Sequence, residues 1–377
     1  KAFFLLVVIM INAPKLNLIS IGSFDQGIRI DDVIVLIFIG LSMSQRKFYV
    51  NFPKKIFIYT IFIGFSAFLA VLLHTGNDIL RVIYFFRVTE YLLFASAVYS
   101  LRIKFNIELL FKFTLIFQLV LMILQISSGN FRPSGTFAGP WELTTVIGLL
   151  ALYTASLPNK SKYWRFMSLI AVNFFSQSRT GLIAAISGIL ASSRSLIKPT
   201  IFFIFLAFPI YFFVEPSSID WIQSIFKREN IDLFYALAES ASNAQQNDLF
   251  SDFKDSADGS LASRFSIWLN LILLWVQNDW LFLKLLFGIG LGSVSVVIDG
   301  FYIRLFFELG IIGVILYFQA LKKSWKDKRL RPIVIYISVI CLTLDPYSSS
   351  KIAYALGLIF AYNSLLKNEI EWSNSEN

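Results

Sequence analysis

Three arginines stand beside apolar runs, where a guanidinium is costly to place. They are Arg132 in Phe131-Arg132-Pro133-Ser134-Gly135-Thr136-Phe137, Arg179 in Ser176-Gln177-Ser178-Arg179-Thr180-Gly181, and Arg264 in Arg264-Phe265-Ser266-Ile267-Trp268. An arginine at membrane depth costs roughly 2.5–3.5 kcal/mol on insertion, so each needs a partner or a wet cavity. Its planar fork matches phosphate oxygens and cannot be discharged. Several such groups on one face would clamp a pyrophosphate; snorkelling or interfacial ion pairing is the plainer alternative for each. Arg81, at one end of another apolar run, is a fourth candidate for that clamp. Two carboxylates could handle a proton. Asp299, just before Gly300, is either a general base or an acid at a helix N-terminus, favoured by the macrodipole. Glu142, next to Trp141 at the start of an apolar run, has the same two roles open to it.

The elements that must position these residues are set by composition. Hydrophobic residues make up 56% of the chain and charged residues 15%, and the mean hydropathy is +0.69. Soluble domains carry roughly 25% charged residues, so the composition predicts an all-α, polytopic helical membrane protein. The apolar runs are helical in length and rich in Phe, Leu and Ile, unlike the alternating strands of a barrel. They fall at 2–20, 31–44, 56–73, 79–101, 111–128, 142–157, 164–177, 180–192, 200–214, 301–321, 332–345 and 351–366, about twelve transmembrane helices with ends uncertain by several residues. The whole chain, 1–377, reads as one integral membrane domain. It carries a large extracytoplasmic loop at 215–300 with amphipathic pieces, and 301–366 forms the final three spans.

Basic residues cluster in every second loop: Arg46, Lys47, Lys54 and Lys55; Arg102, Lys104 and Lys112; Lys160, Lys162 and Arg165; Arg194 and Lys198; and Lys322 through Arg331. By the positive-inside rule those loops are cytoplasmic, as are both termini, and the other ends, with the long loop, face the opposite side. The net charge of +9 is therefore a topology signal and argues against a nucleic-acid partner. The first ten residues lack a small-residue cleavage site and read as the first span. A single cysteine, Cys341, forbids an intrachain disulfide.

Other polar residues have plain readings. Arg304 and Glu308, four apart on one helix face, are expected to neutralise each other. Arg87 and Glu90, three apart, form a second intramembrane pair. Gly288-Ile289-Gly290-Leu291-Gly292 lacks the strand–helix context of a nucleotide fingerprint and reads as a tight return of the chain. No metal site is expected: Asp31-Asp32 lies at a span boundary, and Asp252 and Asp255 lie in a polar stretch of the long loop. The lone histidine, His74, reads as interfacial.

Taken in order, Arg132-Pro133-Ser134-Gly135-Thr136-Phe137, Ser178-Arg179-Thr180-Gly181, Arg264 with Trp268, Gly288-Ile289-Gly290 through Asp299, and Glu308-Leu309-Gly310-Ile311-Ile312-Gly313 form a pattern over about 130–320. It resembles the O-antigen polymerase and O-antigen ligase superfamily of polysaccharide-assembling membrane glycosyltransferases. The resemblance implies a donor oligosaccharide on undecaprenyl pyrophosphate, presented at the outer face of a bacterial inner membrane. It further implies inverting, metal-independent transfer with no cofactor, and a chain-length regulator protein as a further partner. Arg179, Arg264, Arg132 and Arg81 would hold the pyrophosphate, with Asp299 or Glu142 as base. Ligases of this superfamily carry a histidine where this chain has Asp299-Gly300, which favours the polymerase over the ligase. A flippase for the same lipid-linked sugar is the alternative of another class. It would line a central cavity with charge, whereas the sequence concentrates charge at external loop mouths.

Overall fold

The computed structural model describes residues 2–20, 27–45, 54–72, 78–103, 106–130, 132–158, 162–192, 281–290 and 300–375. The described part is helical. In chain order it contains α1 (Ala2–Asn12), α2 (Ile30–Ser44), α3 (Lys54–Leu72), α4 (Asp78–Ser100), α5 (Ile107–Ser127), α6 (Pro140–Ser156), α7 (Tyr163–Phe175) and α8 (Arg179–Ser192). Then come α9 (Leu281–Phe287), α10 (Phe301–Lys326), α11 (Arg331–Ile340), a 3-10 turn at Pro346–Ser348, and α12 (Ser350–Ser375). One antiparallel ribbon, β1 (Asn17–Ser20) with β2 (Gly27–Arg29), joins α1 to α2.

Most helices fall where the apolar runs predict them. The first run is the exception. Its helix stops at Asn12, two residues before Pro14, and the remainder turns into β1. Proline lacks the N–H a helix interior needs, and the Asn12 amide donates back to Val8 O at 3.1 Å, closing the last turn. The last run is longer than its apolar part, because α12 continues through a polar tail to Ser375. Arg264, Asp299, His74, the apolar run at 200–214 and most of 215–300 lie outside the described residues.

Two described helices, α5 and α10, are long and apolar enough to cross a membrane; the 21 residues of α5 extend about 31 Å at 1.5 Å per residue. Helix α5 is apolar on both faces. Its inward face buries Leu110, Phe111, Leu115 and Met122 together with Thr114 and Gln118, whereas Phe113, Ile116, Val120, Ile123 and Leu124 point outward. An amphipathic surface helix in water carries polar residues on its outer face; the outer face of α5 carries mostly apolar ones.

Contacts at the helix ends sort the bundle into two faces. On one, Thr180 meets Thr343, Phe301 meets Leu344, Glu142 meets Ser349, and Thr136 meets Lys351. On the other, Glu108 pairs with Arg165 at 3.1 Å, Asp327 with Lys367 at 2.7 Å, and Asn368 bonds Tyr99. Consecutive helices thus run antiparallel through a shared apolar core. Tyr336, fully buried on α11, packs against Gly148 and Gly188 and donates to Thr144 O at 2.8 Å, binding α6, α8 and α11 together.

Helix α10 is broken at Gly310, where φ is 64° and ψ −172°. The break leaves carbonyls without helical partners, and the Gly288–Gly290 turn supplies them. Ile289 N–H donates to Phe307 O at 3.0 Å and Gly290 N–H to Glu308 O at 2.9 Å. Ser66 of α3 adds its hydroxyl to Phe287 O at 2.9 Å and Glu308 O at 3.3 Å. A Cβ on Gly288 would run into the Glu308 backbone, and one on Gly310 into Leu286. The two glycines let two main chains touch. Residues 281–290, part of the 215–300 segment read from sequence as an external loop, form a short helix and turn packed on α3 and α10, with Phe287 against Phe62 and Phe65.

Candidate active site

The loop carrying Arg132 is held by two glutamines of α5. Gln125 Oε1 accepts the N–H groups of Ser134 and Gly135, each at 2.9 Å, and its amide donates to Gly135 O. Gln118 Oε1 accepts Thr136 N–H at 3.0 Å, while its Nε2 donates to Thr136 Oγ1 and Asn12 Oδ1. Gly135 adopts φ +61°, and a Cβ there would overlap Gln118 Oε1. The run Ser134-Gly135-Thr136 thus folds as a turn clamped to a helix. Arg132 stands at its edge, exposed, with its side chain unbonded among the described residues.

Glu142 sits at the third position of α6 and is fully buried. Its carboxylate accepts from Lys15 Nζ at 2.7 Å, from the Ala138 N–H at 2.8 Å and from Ser349 Oγ. It lies in the first turn of α6, where the macrodipole favours an acid, reaches back to Ala138 just outside the helix, and pairs with a cation from the α1–β1 connection. Arg179 opens α8, half-buried. Its neighbour Ser178 lies 3.2 Å from Thr144 Oγ1, and Thr180 accepts from Thr343 at 3.0 Å. Arg81 occupies the first turn of α4.

The residues joining these parts were missed in the sequence reading. They lie in 341–351, from the end of α11 into the first turn of α12. Thr343 bonds Thr180, Leu344 O accepts Phe301 N–H at 3.1 Å, and Asp345 accepts Arg304 Nη1. Ser349 caps α12 and donates to Glu142, Ser350 accepts Arg29 at 3.3 Å, and Lys351 donates to Thr136 O at 3.0 Å. The Lys351 ammonium also lies 4.3 Å from the Phe137 ring centroid, within cation–π reach. One loop therefore ties together the Arg132 turn, the start of α8 and the start of α10. The available signal was a run of Asp, Ser and Lys residues interrupting apolar sequence at a helix end.

The expected Arg304–Glu308 pair is present, Nε to Oε2 at 2.8 Å. Asp345 makes it a buried triad, and its other oxygen accepts Tyr347 N–H at 3.1 Å. Arg87 pairs with Glu90 at 3.3 Å and also with Asp32, so Asp32 is a bound partner rather than a solvated acid. Glu90 in turn accepts the Tyr354 hydroxyl at 2.8 Å. No group of three or more His, Cys, Asp or Glu side chains among the described residues has the spacing of a metal site.

No protein-family model matches the chain, and no curated protein matches it in sequence. The site is therefore judged on its own chemistry. At one end of the bundle it offers an exposed guanidinium on a rigid turn, a second at a helix start, and a carboxylate whose acceptor capacity is taken up by the fold.

Proposed function

We propose that the chain is an integral membrane protein of about twelve spans that polymerises oligosaccharide repeat units carried on undecaprenyl pyrophosphate. Transfer is inverting and independent of metal, at the outer face of a bacterial inner membrane. One observation carries this reading. The Arg132 turn, Thr180 beside Arg179, and Phe301 at the start of α10 are bonded to one stretch, 343–351, at one end of the bundle. A pyrophosphate leaving group needs positive charge where negative charge develops, and Arg179 and Arg132, joined by Arg264 and Arg81, supply it. Asp299 takes the acceptor hydroxyl proton; Glu142 holds α6 in place. The outward apolar face of α5 supports the membrane setting, and the basic loops at the opposite face support cytoplasmic termini.

A flippase is the second reading, favoured by the buried Arg304, Glu308 and Asp345, which line an internal cavity, and by the broken helix α10. Discontinuous helices beside charged cavities are a transporter arrangement. Lipid-linked glycans extracted from a strain lacking the protein separate the readings. Loss of a polymerase leaves single completed repeats at the outer face. Loss of a ligase leaves long unattached chains, and loss of a flippase leaves repeats on the cytoplasmic side. Either of the last two results overturns the polymerase.

A further inference from the structure

A cavity of about 570 Å³ lies between α3, α4, α10 and α12, a volume within the roughly 300–1,000 Å³ of small-molecule sites. Its walls are apolar for most of its length, with Leu92, Leu305, Leu309 and Leu356 among them. The two ends differ. Toward the face that carries Asp345, the cavity is lined by Arg304, whose guanidinium is engaged by Glu308 and Asp345. Toward the other face it is lined by Lys323, Asp327 and Lys367. Asp327 is held by Lys367 at 2.7 Å and by the Asn363 amide at 2.8 Å. Lys323 is exposed and has no ion-pair partner among the described residues. One further group lacks a partner. Ser96, 2% exposed on the cavity wall, has a buried hydroxyl with no hydrogen-bond partner among the described residues.

We propose that this cavity binds one acyl chain of an anionic phospholipid, with the phosphate at Lys323 and Lys367 and an ester oxygen at Ser96. The inference rests on the membrane setting proposed above but not on the glycosyl-transfer reading. Three features select this occupant. The walls suit a hydrocarbon chain. At the Lys323 end the exposed Lys323 ammonium suits a phosphate, with Lys367, half-exposed and shared with one carboxylate, beside it; the buried Arg304 guanidinium at the other end already holds two carboxylates. Ser96 lies one helical turn, about 5 Å, inward of Ser100, the last residue of α4, which is where an ester linkage falls when the phosphate sits at the mouth. A buried hydroxyl left without a partner is unfavourable, and an ester carbonyl would satisfy it. The lipid enters from the face with the basic loops, opposite the Arg132 turn.

The test uses the full-length chain purified in mild detergent, with retained lipid read by native mass spectrometry. Phosphatidylglycerol is the probe, diacylglycerol the chain without phosphate, and glycerol phosphate the phosphate without chain. The wild type should retain phosphatidylglycerol over diacylglycerol, with no competition from glycerol phosphate. A basic residue near a lipid phosphate contributes about fivefold in affinity. Lys323→Gln should therefore weaken retention about fivefold, and Lys323→Gln with Lys367→Gln about 25-fold. Lys323 is exposed and unpaired, so that single variant keeps the fold. Ala95→Phe, which fills the cavity wall, should lower retention of both lipids. Equal retention by wild type and Lys323→Gln overturns the phosphate assignment, and competition by glycerol phosphate overturns the chain assignment. Recovery of the wild-type chain from the soluble fraction overturns the membrane setting along with the site. A membrane-inserted chain with no preference for phosphatidylglycerol overturns the site alone.

Discussion

Glu142→Gln separates a carboxylate that holds the fold from one that moves a proton. The glutamine side chain keeps the size of glutamate and can still accept one hydrogen bond, but it loses the charge that faces Lys15 at 2.7 Å. Removing one member of a buried ion pair costs about 3–5 kcal/mol, chiefly through the uncompensated partner. The Lys15 side chain is 27% exposed and can turn toward solvent, which places the expected cost near the lower end, about 3 kcal/mol. In a chain of 377 residues that corresponds to a fall of about 4 °C in the unfolding midpoint. Tryptophan fluorescence during thermal unfolding of the purified protein measures it directly. Adding Lys15→Met removes the orphaned ammonium and should recover about half of the loss. Turnover measured below the unfolding transition should stay within a few-fold of wild type. Unchanged stability with turnover down 10²-fold or more, the scale of general-base loss, would refute the structural role. So would a double variant no more stable than Glu142→Gln alone.

Arg179→Ala should reduce glycan elongation on synthetic lipid-linked repeats by about 10²–10³-fold while leaving insertion intact, with little rescue by lysine because the bidentate fork is lost; normal elongation removes Arg179 from the clamp. Gly135→Ala forces φ +61° and an overlap with Gln118, so it should loosen the Arg132 turn and expose Thr136 N–H to hydrogen exchange. Asp327 offers a pH test. Burial alone would raise its carboxyl, but Lys367, the Arg329 N–H and Asn363 outweigh burial and hold it below the usual carboxylate range. A depressed carboxyl stabilises the fold above its unfolded value, about 3.9, and that contribution is lost as pH falls through the lower folded value. Asp327 is part-buried, its side chain only 9% exposed beside Lys367; Asp327→Asn should flatten the acid side of the stability profile and leave pH 7–8 behaviour nearly parallel to wild type.

Helix positions were legible in the sequence because each is a run of apolar residues with punctuation at its ends, and the punctuation at Pro14, Pro140 and Pro332 falls at or near helix boundaries. The pairing of Arg304 with Glu308 followed from their spacing along one helix. Asp345 as third member did not, because it lies 41 residues from Arg304 and meets it only through the packing of α10 against α11. The same limit hid the Lys15 partner of Glu142, which comes from the other end of the chain. Local periodicity reports which face of a helix is buried; it carries no information on which distant side chain fills the opposing space. The Gly288 turn was recognised as a tight return, but its target, the broken backbone at Gly310, is visible only once the two segments are brought together.

The break at Gly310 also constrains biogenesis. A span released sideways into lipid must already have its main-chain carbonyls satisfied, and those of Phe307 and Glu308 are met by N–H groups from Ile289 and Gly290. In the proposed membrane setting, α9 with its Gly288–Gly290 turn and α10 must therefore leave the insertion machinery together rather than meet later. A fusion or truncation cut between Gly290 and Gly300 would strand α10 with open carbonyls and mark it for quality-control proteolysis. Cuts in the turn between α10 and α11 leave that pair whole, which makes this turn the natural place to split the protein into two co-expressed halves.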